Sequence, residues 1–427
     1  MSLAVDVGTR FVRLARLGAD RTPGLVELPG TVPGEGVRVA PGQDPVEVLA
    51  AACAAFRERY GAAGDVVLVA PADRAEECAG CVAEVFGAAA AVRRLHPVVA
   101  ALALLRQAGP VPEGTVVVCL LGAAAVEAAE CVLGPHSVSV RRSVRHAPDG
   151  GVGVAFDAAL LGPGPGGAPD PAGLEELAAV RASPGSGDRL ELLAARAARQ
   201  PDRWQDTAVF RLGGREVSAG AAHRALAELR GHVDGAVSGI RPDGVPVLVL
   251  GGPARLAGVR AAAVGTGREL APPAGTDPGV AVVLGAALVA AGAVDPGDRY
   301  PHAVLLSARQ VLDGRLAGAE LLVCRAGQLA PGGPPVYAAR DGHRIAVGGA
   351  GPRPHEVRLS VRAEPDGPTA AVRTITLPAH GAGERFHVGV AMAADGRARL
   401  VLRPAVGGPP HEYQLGELPG VIEGERL

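Results

Sequence analysis

The sequence predicts an α/β domain over residues 1–295 followed by an all-β sandwich domain. Three observations point that way. Through the first 295 residues, short apolar strands alternate with helical patterns, as in sheets covered by helices. Beyond Asp295 the texture changes to period-2 strands separated by Gly, Pro and Asp turns. The apolar fraction is 48%, much of it alanine, with aromatics at only 3%; a core of Ala, Val and Leu suits helices lying close on sheets.

Taken in order, residues 3–7 and 11–15 are apolar runs joined by Gly8-Thr9-Arg10 and read as a β-hairpin. Residues 44–60 carry Val46, Leu49, Ala52, Cys53 and Phe56 at helical spacing. A strand at 65–70, a helix at 74–86 and a strand at 91–95 follow. Pro97 then opens an alanine-rich helix to Gln107, at a position where proline is well tolerated. Residues 115–121 and 125–132 read as strands around Gly122, and 162–171 as a Gly/Pro-rich loop. Helices are expected at 174–180, 188–199 and 219–238, a strand at 245–250, and helices at 256–264 and 278–291. Residues 296–307 are expected to be a linker. In the all-β part, residues 358–362, 385–390 and 399–403 alternate clearly.

Composition excludes several roles. The formal net charge is -2, and the densest basic group is Arg141, Arg142 and Arg145, so no phosphate-backbone footprint is expected. Every one of the 42 basic residues is arginine, a bias that goes with 61 glycines and 37 prolines as GC-rich codon usage. The N-terminus meets Asp6 with no basic region before it, unlike a signal peptide, and the uncharged stretch 280–294 is short of the ~20 residues a bilayer requires. No membrane role and a cytoplasmic location are expected. Of six cysteines, only Cys78 and Cys81 have a suggestive spacing. They are either a redox pair or two small apolar residues on one helix face.

Three stretches carry chemistry. Asp6-Val7-Gly8-Thr9 lies at a strand–turn–strand, where glycine admits a phosphate to the backbone and Asp or Thr can reach a metal. Leu248-Val249-Leu250-Gly251-Gly252-Pro253-Ala254-Arg255 is a strand, two glycines and an arginine before a helix; such glycines admit a base or sugar, and guanidinium stacks on adenine. Residues 276–287 form a helix with small residues on one face for close packing.

In this order and separation the three stretches resemble the actin-like ATPase superfamily, and the 70-kDa heat-shock chaperones in particular. Residues 65–72 resemble that family's strand ending in Val-Pro-Ala, Leu95-His96-Pro97 and the alanines after it resemble its Glu-Pro-Thr-Ala connecting helix, and Val154-Ala155-Phe156-Asp157 resembles its Gly-Gly-x-Asp-Phe-Asp. Val304-Leu305-Leu306 is similar to its interdomain linker. Residues 324–331, and 386–402 with the turn Ala394-Asp395-Gly396, resemble its β-sandwich peptide-binding domain.

The resemblance implies an actin-like fold with two ribonuclease-H-like lobes and a β-sandwich over 308–427; the family's helical lid would follow the sandwich, and none is expected here. It also implies a site for ATP or ADP with magnesium. Gly8, Thr9, Gly122, Arg199, Gly251, Gly252 and Arg255 would meet the nucleotide, and Asp6, the only retained acid, would face the magnesium.

The departures are equally specific. Phosphoryl transfer needs acids for magnesium and a group to position water. Where the family has an acid in the connecting helix, His96 stands. Its second phosphate loop reads here Cys119-Leu120-Leu121-Gly122-Ala123-Ala124-Ala125-Val126, without acids and with one glycine of three. No lysine exists to match the catalytic one, and Ala195 and Ala198 stand beside Arg199 where an acid and a lysine are found.

The expectation is therefore a pseudo-ATPase chaperone, with a polypeptide client or protein partner and weak or no hydrolysis. The alternative is a nucleotide-independent scaffold; a small-molecule kinase fits the β-rich C-terminal part poorly. Bland readings stand beside each site residue: Asp6 as a turn cap, Arg255 as a surface arginine, His96 as a turn histidine rather than a general base.

Overall fold

The chain divides into two compact units: Met1–Ala90, Leu95–Val132 and Arg142–Asp295 in one, and Ala91–Arg94, Leu133–Arg141 and Pro296–Leu427 in the other. The computed structural model describes residues 1–419 except 41, 88, 89, 110, 135, 136, 149, 163–170, 182, 184, 241, 242, 313, 314, 350–352, 380, 382, 394 and 395. Ala394 and Asp395 of the expected turn and all but the ends of the loop expected at 162–171 lie outside the described residues; Gly396 closes on the Ala393 carbonyl at 2.9 Å, and Pro171 already begins a helix, Pro171–Arg181.

The first unit is mixed α/β and repeats one strand arrangement. Ser2–Val7 runs antiparallel to Phe11–Leu17 on one side and parallel to Asp65–Val69 on the other, with Pro23–Leu25 and Gly36–Arg38 beyond Phe11–Leu17. In the second sheet Gly114–Leu121 holds the same central place, between Val126–Leu133 and the parallel strand Pro246–Leu250; Arg268–Leu270 forms one edge, and Val138–His146, which the unit boundary between Arg141 and Arg142 divides, forms the other. Val116 through Cys119 are all fully buried, which is why this strand reads as an unbroken apolar run rather than an alternation.

Helices Val152–Leu161, Ser186–Arg199, Ala219–Val237 and Ala257–Val264 share one core with the second sheet, through Phe156, Leu160, Leu190, Leu226, Leu229, Val233 and Val259. Ala281–Ala290 lies on the first sheet and on helix Pro97–Ala108. That pair approaches so closely that a Cβ at Gly285 would overlap the Ala100 carbonyl, which explains the small residues of this helix. Caps follow local chemistry: Asp44 accepts from the Val46 N–H at the start of Pro45–Tyr60, and Ser218 from Ala221 at the start of Ala219–Val237. The edge strand Val138–His146 and the hairpin Ala208–Leu212 with Arg215–Ser218 have no counterpart in the sequence reading, because three arginines break the first pattern and the second is too short to show a period.

The second unit is all β among its C-terminal described residues. One antiparallel sheet runs Arg315–Cys324, Ala303–Leu312, His355–Arg362, Thr369–Leu377; the other runs Val336–Tyr337, Arg385–Met392, Arg397–Pro404, His411–Glu417, with Ala346–Gly348 beside Arg385–Met392. Val304, Leu306, Leu359 and Val361 from one sheet and Val388, Val390, Leu400 and Leu402 from the other form a common core. One expectation is corrected here. Residues 296–307 are not a linker throughout, since Ala303–Leu312 is a sheet strand and Val304 and Leu306 are core residues. Ala303, Val304, Leu305 and Leu306 are all buried, an unbroken apolar run rather than an alternation. No helix among the described residues is long and apolar enough to cross a membrane.

Candidate functional site

The two hairpins of the first unit turn in the same way. The Gly8 N–H donates to the Phe11 carbonyl at 2.9 Å, and the Gly122 N–H to the Ala125 carbonyl at 2.9 Å. In each, a Cβ on the glycine would come 3.0 Å from that carbonyl, so both turns favour glycine. Thr9 and Gly122 are exposed. The second turn is already covered. The Gly153 N–H donates to the Ala123 carbonyl at 2.8 Å and the Val152 N–H to the Ala124 carbonyl at 3.4 Å. First-turn N–H groups of a helix are otherwise available to an anion; here two of them serve the alanine-substituted loop.

Gly251 and Gly252 differ in role. Gly251 has φ 101°, its N–H donates to the Pro278 carbonyl at 2.8 Å, and a Cβ there would overlap the Leu121 carbonyl. It is a packing glycine. A Cβ on Gly252 would meet nothing within 4 Å, so its position is open. Just beyond, Arg255 donates through Nε and Nη2 to the Asp277 carboxylate, at 3.0 and 2.7 Å, and through Nη1 to Glu35. Asp277 also accepts from the Gly279 N–H at 2.7 Å. The N–H edges of the guanidinium expected to stack on adenine are thus bonded to two carboxylates.

Asp6 belongs to the same chain of charges. It stands directly across the hairpin from Arg13, whose Nη1 donates to it at 3.1 Å, and Arg13 Nη2 lies 3.8 Å from Glu35. The turn-cap reading of Asp6 is therefore replaced by a cross-strand ion pair. Burial pushes the Asp6 carboxyl above the ordinary aspartate range, and Arg13 opposes it through charge and hydrogen bonding. Asp6, Arg13, Glu35, Arg255 and Asp277 form one alternating series of anions and cations. No group of three or more His, Cys, Asp or Glu positioned for a metal occurs among the described residues.

A second cluster adjoins the first. The Asp157 carboxylate is 1% exposed and pairs with both Arg10 and Arg181, while Arg10 also donates to the Gly153 carbonyl at 3.1 Å. The Arg181 guanidinium lies 4.8 Å from the centre of the Phe156 ring, a cation–π arrangement. Burial lowers the Arg181 pKa, Asp157 opposes this, and the neighbouring charges of Arg10 and Arg255 lower it further. Arg181 thus feels both networks.

Not every expected residue joins. Arg199 ends helix Ser186–Arg199 and is exposed, and no described hydrogen bond or ion pair links it to the cluster. From the same helix, Glu191 accepts from the Ala257 and Gly258 N–H groups at 2.9 and 2.7 Å, fixing the start of the helix after Arg255. His96 caps its helix by accepting from the Val98 N–H at 3.3 Å and lies 3.7 Å from Glu127. Its surroundings lower its pKa, Glu127 pulling the other way. The geometry is that of a cap. Cys78 is buried, and burial pushes its thiol up to about 11; Cys81 is pushed up by the same cause. Both shifts oppose the thiolate a redox pair needs.

The residues missed by sequence reading are Arg10, Arg13, Glu35, Asp157, Arg181 and Asp277. Arg10, Asp157 and Asp277 lie within or beside quoted motifs and carried a signal; Arg13, Glu35 and Arg181 carried none. Compared with protein-family models and with curated proteins, the sequence matches none.

Proposed function

We propose that the chain is a chaperone-type protein resembling the 70-kDa heat-shock family, a pseudo-ATPase whose actin-like half acts without bound nucleotide. The twice-repeated strand arrangement of the first unit supports two ribonuclease-H-like lobes, and the two-sheet core of the second supports a β-sandwich that takes an extended polypeptide or a protein partner. One observation carries the nucleotide-independent form. The charged groups assigned by resemblance to magnesium and nucleotide, Asp6 and Arg255, are neutralised by Arg13, Glu35 and Asp277.

Magnesium with ATP or ADP does not fit this arrangement well. The cation would have to take Asp6 from Arg13, and the second phosphate loop spends two carbonyls on a helix start that would otherwise face an anion. The exposed Thr9 and the open Gly252 favour a second reading, residual ATP or ADP binding with little hydrolysis.

Thermal melting of the whole chain with magnesium and millimolar ATP or ADP separates the two, because a ligand of the folded state raises its melting temperature. No shift beyond that given by pyrophosphate at the same concentration is expected; a larger, saturable one restores the nucleotide reading. The partner side is tested by probing the full chain against an array of extended apolar peptides. Selective capture is expected, and silence across the array removes the chaperone reading and leaves a scaffold.

A further inference from the structure

The excess of arginine around Asp157 has a chemical consequence. Two guanidinium groups meet one carboxylate that is 1% exposed, so this corner carries one more cation than its own anion, while the Arg255 charge beyond it is matched by Glu35 and Asp277. The arginines themselves are only partly covered: the Arg10 side chain is 32% exposed and that of Arg181 22%. Among the described residues Arg10 bonds through Nη2 alone and Arg181 through Nη1 alone. Each guanidinium has five N–H donors in a rigid fork, and no nitrogen of either is among the buried unpaired atoms. The unused donors therefore face solvent.

Both groups are held in place. Arg10 is anchored by the Gly153 carbonyl as well as Asp157, and Arg181 by Asp157, the Phe156 ring and a hydrogen bond of 2.7 Å from Ser186 Oγ to its own carbonyl. Such preorganised forks suit the tetrahedral oxygens of a phosphate, which they bind bidentately. Asp157 supplies only two oxygens and leaves this capacity unfilled.

We propose that Arg10 and Arg181 form a magnesium-independent site for a phosphate-group anion, with inorganic pyrophosphate and longer oligophosphates as the ligand class. The site uses protein cations where a magnesium–nucleotide site uses a metal, and it needs neither the second phosphate loop nor Gly252. It does not rest on the chaperone reading, because peptide capture and anion binding are separate measurements.

The test is isothermal titration of the full-length chain at low ionic strength with EDTA, using pyrophosphate and tripolyphosphate as probes. Saturable binding is expected. Arg10→Gln and Arg181→Gln each weaken it by about tenfold, the loss of one charge-assisted contact, and Arg141→Gln on the exposed edge strand leaves it unchanged. Arg10→Lys keeps an ion pair with Asp157 and protects the fold while removing the fork, so it too weakens binding. Magnesium weakens binding by sequestering the probe. ADP matching pyrophosphate, with adenosine silent, assigns the site to the phosphate chain whichever molecule carries it. No binding by the wild type, equal binding by wild type and the Arg10 and Arg181 variants, binding that requires magnesium, or adenosine binding as tightly as ADP would each overturn the proposal.

Discussion

Arg255 reaches Glu35 across 220 positions of sequence, and Glu35 is only 8% exposed. A buried carboxylate is tolerated when its charge is compensated. Arg255 supplies that compensation directly and Arg13 completes it from 3.8 Å. The loop after Pro246–Leu250 is thereby tied to the turn before Gly36–Arg38, and the same guanidinium holds Asp277 at the approach to Ala281–Ala290. One side chain joins three segments that are far apart in the chain.

Arg255→Met is expected to destabilise the protein by about 2–3 kcal/mol, less than the full value for a deeply buried pair because the arginine is partly exposed. Urea denaturation measures it. Adding Glu35→Gln should restore part of the loss, because a neutral amide no longer needs the cation. A double variant at the sum of the two single costs would show that the pair is uncoupled.

Asp157→Ala leaves Arg10 and Arg181 facing each other without their shared anion. The expected cost is about 3–5 kcal/mol, with the melting temperature rising again as salt screens the two cations. A salt-independent loss of the same size would point to packing rather than charge.

Two helical glycines should respond with opposite signs. Gly285→Ala drives a methyl into the Ala100 backbone carbonyl and should cost about 1–3 kcal/mol. Gly231→Ala lies in helix Ala219–Val237 with nothing within 4 Å of the new Cβ and should stabilise by about 0.5–1 kcal/mol through helix propensity and unfolded-state entropy. Paired thermal melts compare them directly.

The pH dependence should contain two opposed contributions. Asp6 titrates above the ordinary 3.8 in the folded state because burial disfavours its charge. Between 3.8 and that raised value the native state binds more protons than the unfolded one, so this contribution to stability falls as pH rises through the window. Asp44 is the reverse: hydrogen bonds from Arg74 and the Val46 N–H lower its pKa, so its contribution is present above 3.8 and is lost as pH falls through the lowered value. Asp6→Asn should flatten the first slope and Asp44→Asn the second, read from denaturation midpoints between pH 3 and 7.

Much of the order of elements was legible because it rests on local signals. Pro97 after His96, the run Val116 to Cys119 and the alternation of Val388 and Val390 are each visible within a few residues, and the structure places a helix, a buried strand and a further sheet strand there. The exceptions have local causes too. The arginines of Val138–His146 mask an edge strand, and Val304-Leu305-Leu306 suits a tether as well as a strand when no partner strand is known.

At the candidate site residue order dictates which side chains exist: Asp6 on the first strand, two glycines and Arg255 after Pro246–Leu250, no lysine, and alanines where a phosphate loop would carry glycine and acid. What those groups face follows from the folded chain. Asp6 meets Arg13, Arg255 meets Glu35 and Asp277, and Asp157 meets Arg10 and Arg181. Partner choice between charges depends on distance through space and on burial, which strengthens close pairs and makes lone ions costly, and neither quantity is written in residue order.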